Sequence, residues 1–253
     1  MIALELRNVH KHYGGPPVVQ DVSLTIERGR TVAVIGPNGA GKTTLFGVMA
    51  GEHRATGGSL LLFGKDATRA GAKRLAHLGV ARTFQVARYF LEKTVEQNLV
   101  IARDARRSRY RNPVSRAPRP GDTITAALDA VGLQDRRHQP SSTLSHGDRK
   151  SLEIAMALTQ DPAVLLLDEP TAGMGAEDIP RTIRLLKGLR ESRPDLTVVI
   201  TAHDMEVVFA LADRVVLMAG GKVALEGSPA AVRDDPLTRE IYLGDSYEGG
   251  SAA

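Results

Sequence analysis

The stretch Gly36-Pro37-Asn38-Gly39-Ala40-Gly41-Lys42-Thr43-Thr44 restricts what this chain can be more than any other feature. Its pattern, G-x-x-x-x-G-K-[ST], is that of a loop whose glycines let the backbone wrap a phosphate with its N–H groups. The loop follows an apolar run, Thr31 to Ile35, and opens a helical one, Thr43 to Ala50. A helix that starts there turns its positive end toward the same anion. Strand, loop and helix in that order predict a nucleotide site. Lys42 is placed to reach the β- and γ-phosphates, and the Thr43 hydroxyl to ligate Mg2+.

A second run, Val164-Leu165-Leu166-Leu167-Asp168-Glu169-Pro170, delivers two carboxylates to the end of a buried strand. Asp168 is suited to hold Mg2+ through water, and Glu169 to orient or deprotonate an attacking water. The phosphate loop is expected on the strand next to it.

Composition removes several classes. The chain has 253 residues and no Cys, which excludes a disulfide framework and a Cys-based zinc site. The start, Met1 to Arg7, lacks the apolar stretch of a signal peptide, and no apolar run approaches the roughly eighteen residues that span a bilayer. Service to a membrane is therefore expected to run through a partner. The net charge is +4, yet seven Arg stand against one acid between Arg103 and Arg119, so the remainder is slightly acidic. Basicity confined to one Pro-punctuated stretch does not describe a general nucleic-acid binder. That cluster reads as a solvated loop, with contact to anionic headgroups or membrane-partner loops as the alternative.

Short β-like runs alternate with helical stretches, the pattern of an α/β sheet with crossover helices. Strands are expected at Leu4–Val9, Ser23–Ile26, Thr31–Ile35, Ser59–Phe63, Val164–Leu167, Val198–Thr201, Val215–Met218 and Val223–Glu226. The runs at 32–35, 164–167 and 198–200 are continuously apolar, as strands buried on both faces of a parallel sheet are. Between about 86 and 158 the pattern turns helical, with periodic segments at Val95–Ala105, Ile124–Val131 and Leu152–Leu158, and an exposed loop is expected over Asn112–Gly121. The expected architecture is an α/β P-loop NTPase with a RecA-like mixed or parallel sheet. Its single domain, 1–253, divides into a core of about 1–85 and 159–228, an inserted helical subdomain of about 86–158 and a tail of about 229–253, frayed from Tyr247 onward.

The order of phosphate loop, Gln85, Leu144-Ser145-His146-Gly147-Asp148, Leu167-Asp168-Glu169-Pro170 and His203 resembles the ABC-type ATPase family over essentially the whole chain. The resemblance implies that Ser145 and the backbone of Gly147 close over nucleotide held by a second subunit. It implies that Gln85 contacts Mg2+ and water, that His203 bonds the γ-phosphate, and that Tyr13 stacks on adenine. The chain departs from the family's common signature at His146 and Asp148, the latter expected to add negative charge near a triphosphate. It departs again at Gly175, where many relatives carry Asp.

Gly79-Val80-Ala81-Arg82-Thr83-Phe84-Gln85, Thr94-Val95-Glu96-Gln97-Asn98-Leu99, His203-Asp204-Met205 and Tyr242-Leu243-Gly244 are similar to the branched-chain amino-acid, urea and amide uptake branch. That similarity implies an importer ATPase at the cytoplasmic face of the cell membrane. Its implied partners are integral membrane permease subunits, a second ABC ATPase subunit (a heterodimer, with a homodimer as the alternative) and, indirectly, a solute-binding protein. The alternative class is a non-transport ABC ATPase acting on nucleic acid or the ribosome. Such proteins carry coiled-coil arms or paired ATPase domains, which this sequence does not display.

Overall fold

The computed structural model describes residues 1–83, 89–107, 120–175, 177–202 and 204–248. The chain opens with β1 (Ile2–Lys11), β2 (Val19–Glu27) and β3 (Thr31–Ile35), and the phosphate loop leads into α1 (Lys42–Met49). Then come β4 (Gly57–Leu62), β5 (Lys65–Asp66), α2 (Ala72–His77) and β6 (Val80–Arg82). The helices α3 (Val95–Arg107), α4 (Pro120–Val131) and α5 (His146–Leu158) follow, with short 3-10 turns at Gln134–Arg136 and Ser141–Thr143 ahead of α5. The acidic strand is β7 (Val164–Asp168), after which α6 (Asp178–Ser192), β8 (Thr197–Thr201), α7 (Met205–Leu211), β9 (Arg214–Ala219) and β10 (Lys222–Gly227) alternate. Two helices close the described chain, α8 (Pro229–Asp234) and α9 (Pro236–Glu248).

Two sheets result. A four-stranded antiparallel sheet has the order β2-β1-β4-β5, and a six-stranded sheet the order β10-β9-β3-β8-β7-β6. In the larger sheet β9, β3, β8, β7 and β6 run parallel, and β10 returns antiparallel on β9. The turn between β9 and β10 is Gly220-Gly221, both at positive φ (54° and 78°), as a two-residue hairpin turn demands. Gly221 O also accepts from Gln20 N–H at 2.8 Å, which ties the two sheets together.

Every residue of β3, β7 and β8 is buried, as their continuous apolar runs predict. Successive side chains on these strands enter opposite cores. Val32, Val34, Val164, Leu166 and Val199 pack with α1 residues Leu45 and Phe46 and with Leu4 and Leu6 of the antiparallel sheet. Ala33, Ile35, Leu165, Leu167, Val198 and Ile200 pack on the other face with Leu99, Leu128, Leu152 and Leu186 of the surrounding helices. The helices α3, α4 and α5 thus share one continuous apolar core with the sheet.

Local chemistry sets where α3 begins. Thr94 Oγ1 accepts from Gln97 N–H at 3.2 Å, and Gln97 Oε1 accepts from Thr94 N–H at 3.0 Å, a reciprocal cap. Asn98, fully buried, accepts from Phe90 N–H at 2.7 Å and donates to Phe90 O at 3.0 Å and to Ser141 Oγ at 2.9 Å. One buried amide therefore pins the approach to α3 against the turn that precedes α5.

The structure corrects one sequence expectation. The acidic strand β7 is not adjacent to β3, because β8 lies hydrogen-bonded between them. Tyr247 and Glu248 fall within α9, and residues 249–253 of the expected frayed end lie outside the described residues. Of the expected loop Asn112–Gly121, only Pro120 and Gly121 are described, and they open α4.

Candidate functional site

The phosphate loop leaves the carboxyl end of β3, where ligands of such sheets gather. Its glycines answer to specific neighbours. A Cβ on Gly36 (φ 143°) would lie 2.1 Å from Met218 O, and one on Gly41 (φ 93°) would lie 2.5 Å from Val18 O. Gly39 (φ 78°) has open space around it and needs glycine for its backbone angle alone. Asn38 and Gly39 are exposed, Pro37 and Thr44 are half-buried, and Ala40 is buried beneath them. Ala40 N–H donates to Pro37 O at 3.3 Å, which closes the turn.

Lys42 begins α1, is 7% exposed, and its Nζ donates to Gly36 O at 2.6 Å and Pro37 O at 2.8 Å. Burial pushes its ammonium below the usual lysine value, against the opposing pull of the Glu169 and Asp168 carboxylates. Thr43, in the first turn of α1, is exposed. Tyr242 of α9 is half-buried and meets the Gly36 backbone; burial raises its phenol, and the Gly36 bond partly offsets this.

Asp168 ends β7 at 3% exposure. Its Oδ1 accepts from Thr201 Oγ1 at 2.6 Å, its Oδ2 from Arg82 Nη2 at 2.7 Å, and its own N–H donates to Thr83 Oγ1 at 3.3 Å. Glu169, half-buried, has φ 47°, a left-handed conformation that a side-chain-bearing residue seldom adopts. Its N–H donates to Thr201 Oγ1 at 2.9 Å and approaches Thr201 O at 3.2 Å. A single hydroxyl, that of Thr201, therefore bridges the two acidic residues. Arg82 and Thr83 stand in the 79–85 run and Thr201 at the end of β8, but nothing in the residue pattern signalled that they hold the acidic pair.

The donor set suits a hydrated divalent cation. Among the described residues no group of three or more His, Asp or Glu converges on one point, so no all-protein cage exists there. Mg2+ typically takes one or two carboxylates plus substrate phosphates and keeps several waters. Each Asp168 oxygen already accepts one hydrogen bond, leaving lone pairs better matched to a metal-bound water than to a bare ion.

Ser145 caps α5: its Oγ accepts from Asp148 N–H at 3.1 Å and donates to Asp148 Oδ2 at 2.7 Å. A Cβ on Gly147 would lie 2.8 Å from the Asp178 carboxylate, so α6 packs directly against this turn. His146 Nε2 lies 3.4 Å from Ala172 O in the loop after the acidic strand. The expected negative charge at Asp148 is corrected by its surroundings. The residue is 1% exposed, pairs with Arg136 through Oδ2, and has Arg181 Nη1 2.9 Å from Oδ1 outside hydrogen-bond geometry. Two guanidinium groups thus outweigh its carboxylate.

Lys42, Asp168 and Glu169 come together electrostatically, whereas Ser145 and Gly147 make their contacts with Asp148 and Asp178. Tyr13 is 56% exposed, with Lys11 Nζ 4.6 Å from its ring centroid and the His53 ring edge-on at 5.6 Å. Gln85 and His203 lie outside the described residues.

Residues 19–172 match the family described as ABC transporter. The chain is 33% identical over 251 residues to the high-affinity branched-chain amino acid transport ATP-binding protein BraF of Pseudomonas aeruginosa, covering 96% of this chain and 98% of that one. It is 32% identical over 254 residues to the corresponding protein LivG of Escherichia coli K12, again covering 96% and 98%. Among solved structures it is similar to the ADP conformation of MJ1267, an ATP-binding cassette of an ABC transporter. That match has a TM-score of 0.85 and 28% identity, and covers 96% of this chain and 99% of the other.

Proposed function

This chain belongs to the ABC transporter family and is its ATP-binding, ATP-hydrolysing subunit, and we propose that it energises uptake of branched-chain amino acids or related small polar solutes. The observation that carries the substrate class is the near-complete coverage of both chains in the alignments with branched-chain amino acid transport proteins. Their names leave action on nucleic acid or the ribosome without support.

In this reading the amides of Gly36 to Thr44 and the Lys42 ammonium bind the phosphates, and Tyr13 stacks on adenine. The Thr43 hydroxyl and Gln85, with Asp168 acting through water, would hold Mg2+, which would neutralise charge on the phosphate oxygens. Glu169 orients or deprotonates the water, and His203 bonds the γ-phosphate. The depressed Lys42 and the left-handed Glu169 support these roles, because burial and backbone strain gather where chemistry is done.

Ser145 and Gly147 close over nucleotide held by a second ATPase subunit, a different chain or a second copy. Burial of Asp148 between Arg136 and Arg181 favours this, since the end of α5 then presents no net negative charge to a triphosphate. No described helix is long and apolar enough to cross a membrane. We place the subunit peripherally at the cytoplasmic face, on permease subunits, where closure of the pair moves the permease and hydrolysis resets it.

Glu169→Gln should retain ATP binding and stall turnover; hydrolysis at the parental rate would remove Glu169 from its role. The decisive experiment is to tag the chain, solubilise membranes gently and identify what co-purifies. Polytopic permease subunits and a second ATPase are expected, with a solute-binding protein whose ligands can then be screened. Recovery of ribosomes, nucleic acid or the chain alone would overturn the transport reading.

A further inference from the structure

Arg82 ends β6 and takes no part in the chemistry proposed above. Its side chain is 9% exposed and forks between two carboxylates, with Nη1 2.6 Å from Glu52 Oε2 and Nη2 2.7 Å from Asp168 Oδ2. Asp168, at 2% side-chain exposure, receives the Thr201 hydroxyl on its other oxygen at 2.6 Å. Thr83, the next residue, takes the Asp168 N–H on its hydroxyl at 3.3 Å and donates its own N–H to Leu166 O at 2.9 Å. Both strands flanking β7 thus grip the carboxylate. Glu52 stands just beyond α1, its N–H bonded to Gly47 O at 2.9 Å, so the fork also reaches the helix that the phosphate loop opens.

A guanidinium this close to a buried carboxylate occupies one oxygen and cancels much of its charge. A hard dication that gains a direct carboxylate oxygen gives up a water and is held more firmly. The two effects oppose each other at Asp168. We propose that Arg82 is a positioning residue that holds the Asp168 carboxylate away from direct ligation, so that it meets the metal only through water. Glu52 tempers this by drawing part of the Arg82 charge to itself. The inference rests on the reading that Asp168 holds Mg2+ beside the nucleotide.

The two partners of Arg82 give the proposal opposite signs. Arg82→Met frees Oδ2 and removes a cation, so metal binding tightens. Glu52→Gln leaves the whole guanidinium charge to Asp168, so metal binding weakens. A merely structural role would weaken it in both. The experiment titrates the full chain, saturated with ADP, with Mn2+ followed by electron paramagnetic resonance; bound waters are counted by line broadening in 17O-water. ADP affinity is measured separately in EDTA.

Arg82→Met is expected to bind Mn2+ about threefold or more tighter, with one water fewer. Glu52→Gln is expected to bind it about twofold or more weaker. Arg82→Lys, which keeps a cation near Asp168, should retain the parental water count. ADP affinity in EDTA should stay parental in all three. Equal or weaker Mn2+ binding in Arg82→Met, an unchanged water count, or a shift of both variants in one direction would overturn the proposal. If Arg82→Met does not fold, Arg82→Gln, which also removes the cation, takes its place, and equal or weaker Mn2+ binding there overturns the proposal. A parent that binds no Mn2+ beside ADP removes the metal reading and this proposal together.

Discussion

Asp148 offers the sharpest test of how the signature end of α5 is built. Its carboxylate is 1% exposed, while the side chains of its partners Arg136 and Arg181 are 41% and 40% exposed. Either arginine alone is partly solvated and leaves the other in place, so replacing one by Met should cost about 1 kcal/mol, the upper range for exposed ion pairs. Replacing both strands a buried carboxylate, and that costs about 3–5 kcal/mol. The double variant should therefore lose about 1–3 kcal/mol more than the two single variants together. Adding Asp148→Asn removes the stranded charge, keeps a side chain that can bond Ser145, and should return most of the loss. The chain has no Trp, so urea unfolding is best followed by far-UV circular dichroism. Strict additivity with no recovery on Asp148→Asn would mean that the carboxylate is solvated and that the burial argument is wrong.

Three further outcomes are expected. Gly41→Ala places a Cβ 2.5 Å from Val18 O at φ 93°, whereas Gly39→Ala meets only backbone strain; ATP affinity by titration should fall further in Gly41→Ala, and the reverse order would contradict the close-approach argument. Thr201→Val removes the hydroxyl bridging Asp168 Oδ1 and the Glu169 N–H, so kcat should drop on the order of tenfold or more with KM for ATP little changed; an unchanged kcat excludes the bridge from catalysis. Burial raises the Glu153 carboxyl above its ordinary value, despite Lys150 at 3.4 Å. A raised folded value favours the protonated fold, so relative to Glu153→Gln the parent should lose stability as pH rises from about 4.3 through that raised value. A pH-independent difference between the two unfolding midpoints would argue against it.

Much of the fold was legible because its central strands are buried on both faces. The runs at 32–35, 164–167 and 198–200 admit no other reading, and the phosphate loop between strand and helix locates itself. What could not be read was pairing. Nothing in Val198 to Thr201 announces that β8 separates the phosphate-loop strand from the acidic one, because strand order is decided by crossover geometry and not by local pattern. The helix α6 was not anticipated, although Ile183, Leu186 and Leu189 recur at helical spacing and Pro180 lies in the first turn, where proline is tolerated. The same limit applies to the site: Asp168 was found by its strand, but its partner Arg82 stands 86 positions earlier. Asp148 was expected to add negative charge near a triphosphate because its arginine partners come from other elements.

The division of β3 between two cores restricts how its lineage can vary. Ala33 and Ile35 serve one layer, and Val32 and Val34 the other. A descendant can trade one aliphatic for another along this strand and keep its fold. It cannot gain or lose a single residue there, because that would reverse the phase of every later side chain and turn the phosphate loop toward the wrong layer. Length changes in related chains should therefore gather in exposed connections such as Gly14-Gly15, where added atoms meet no neighbour.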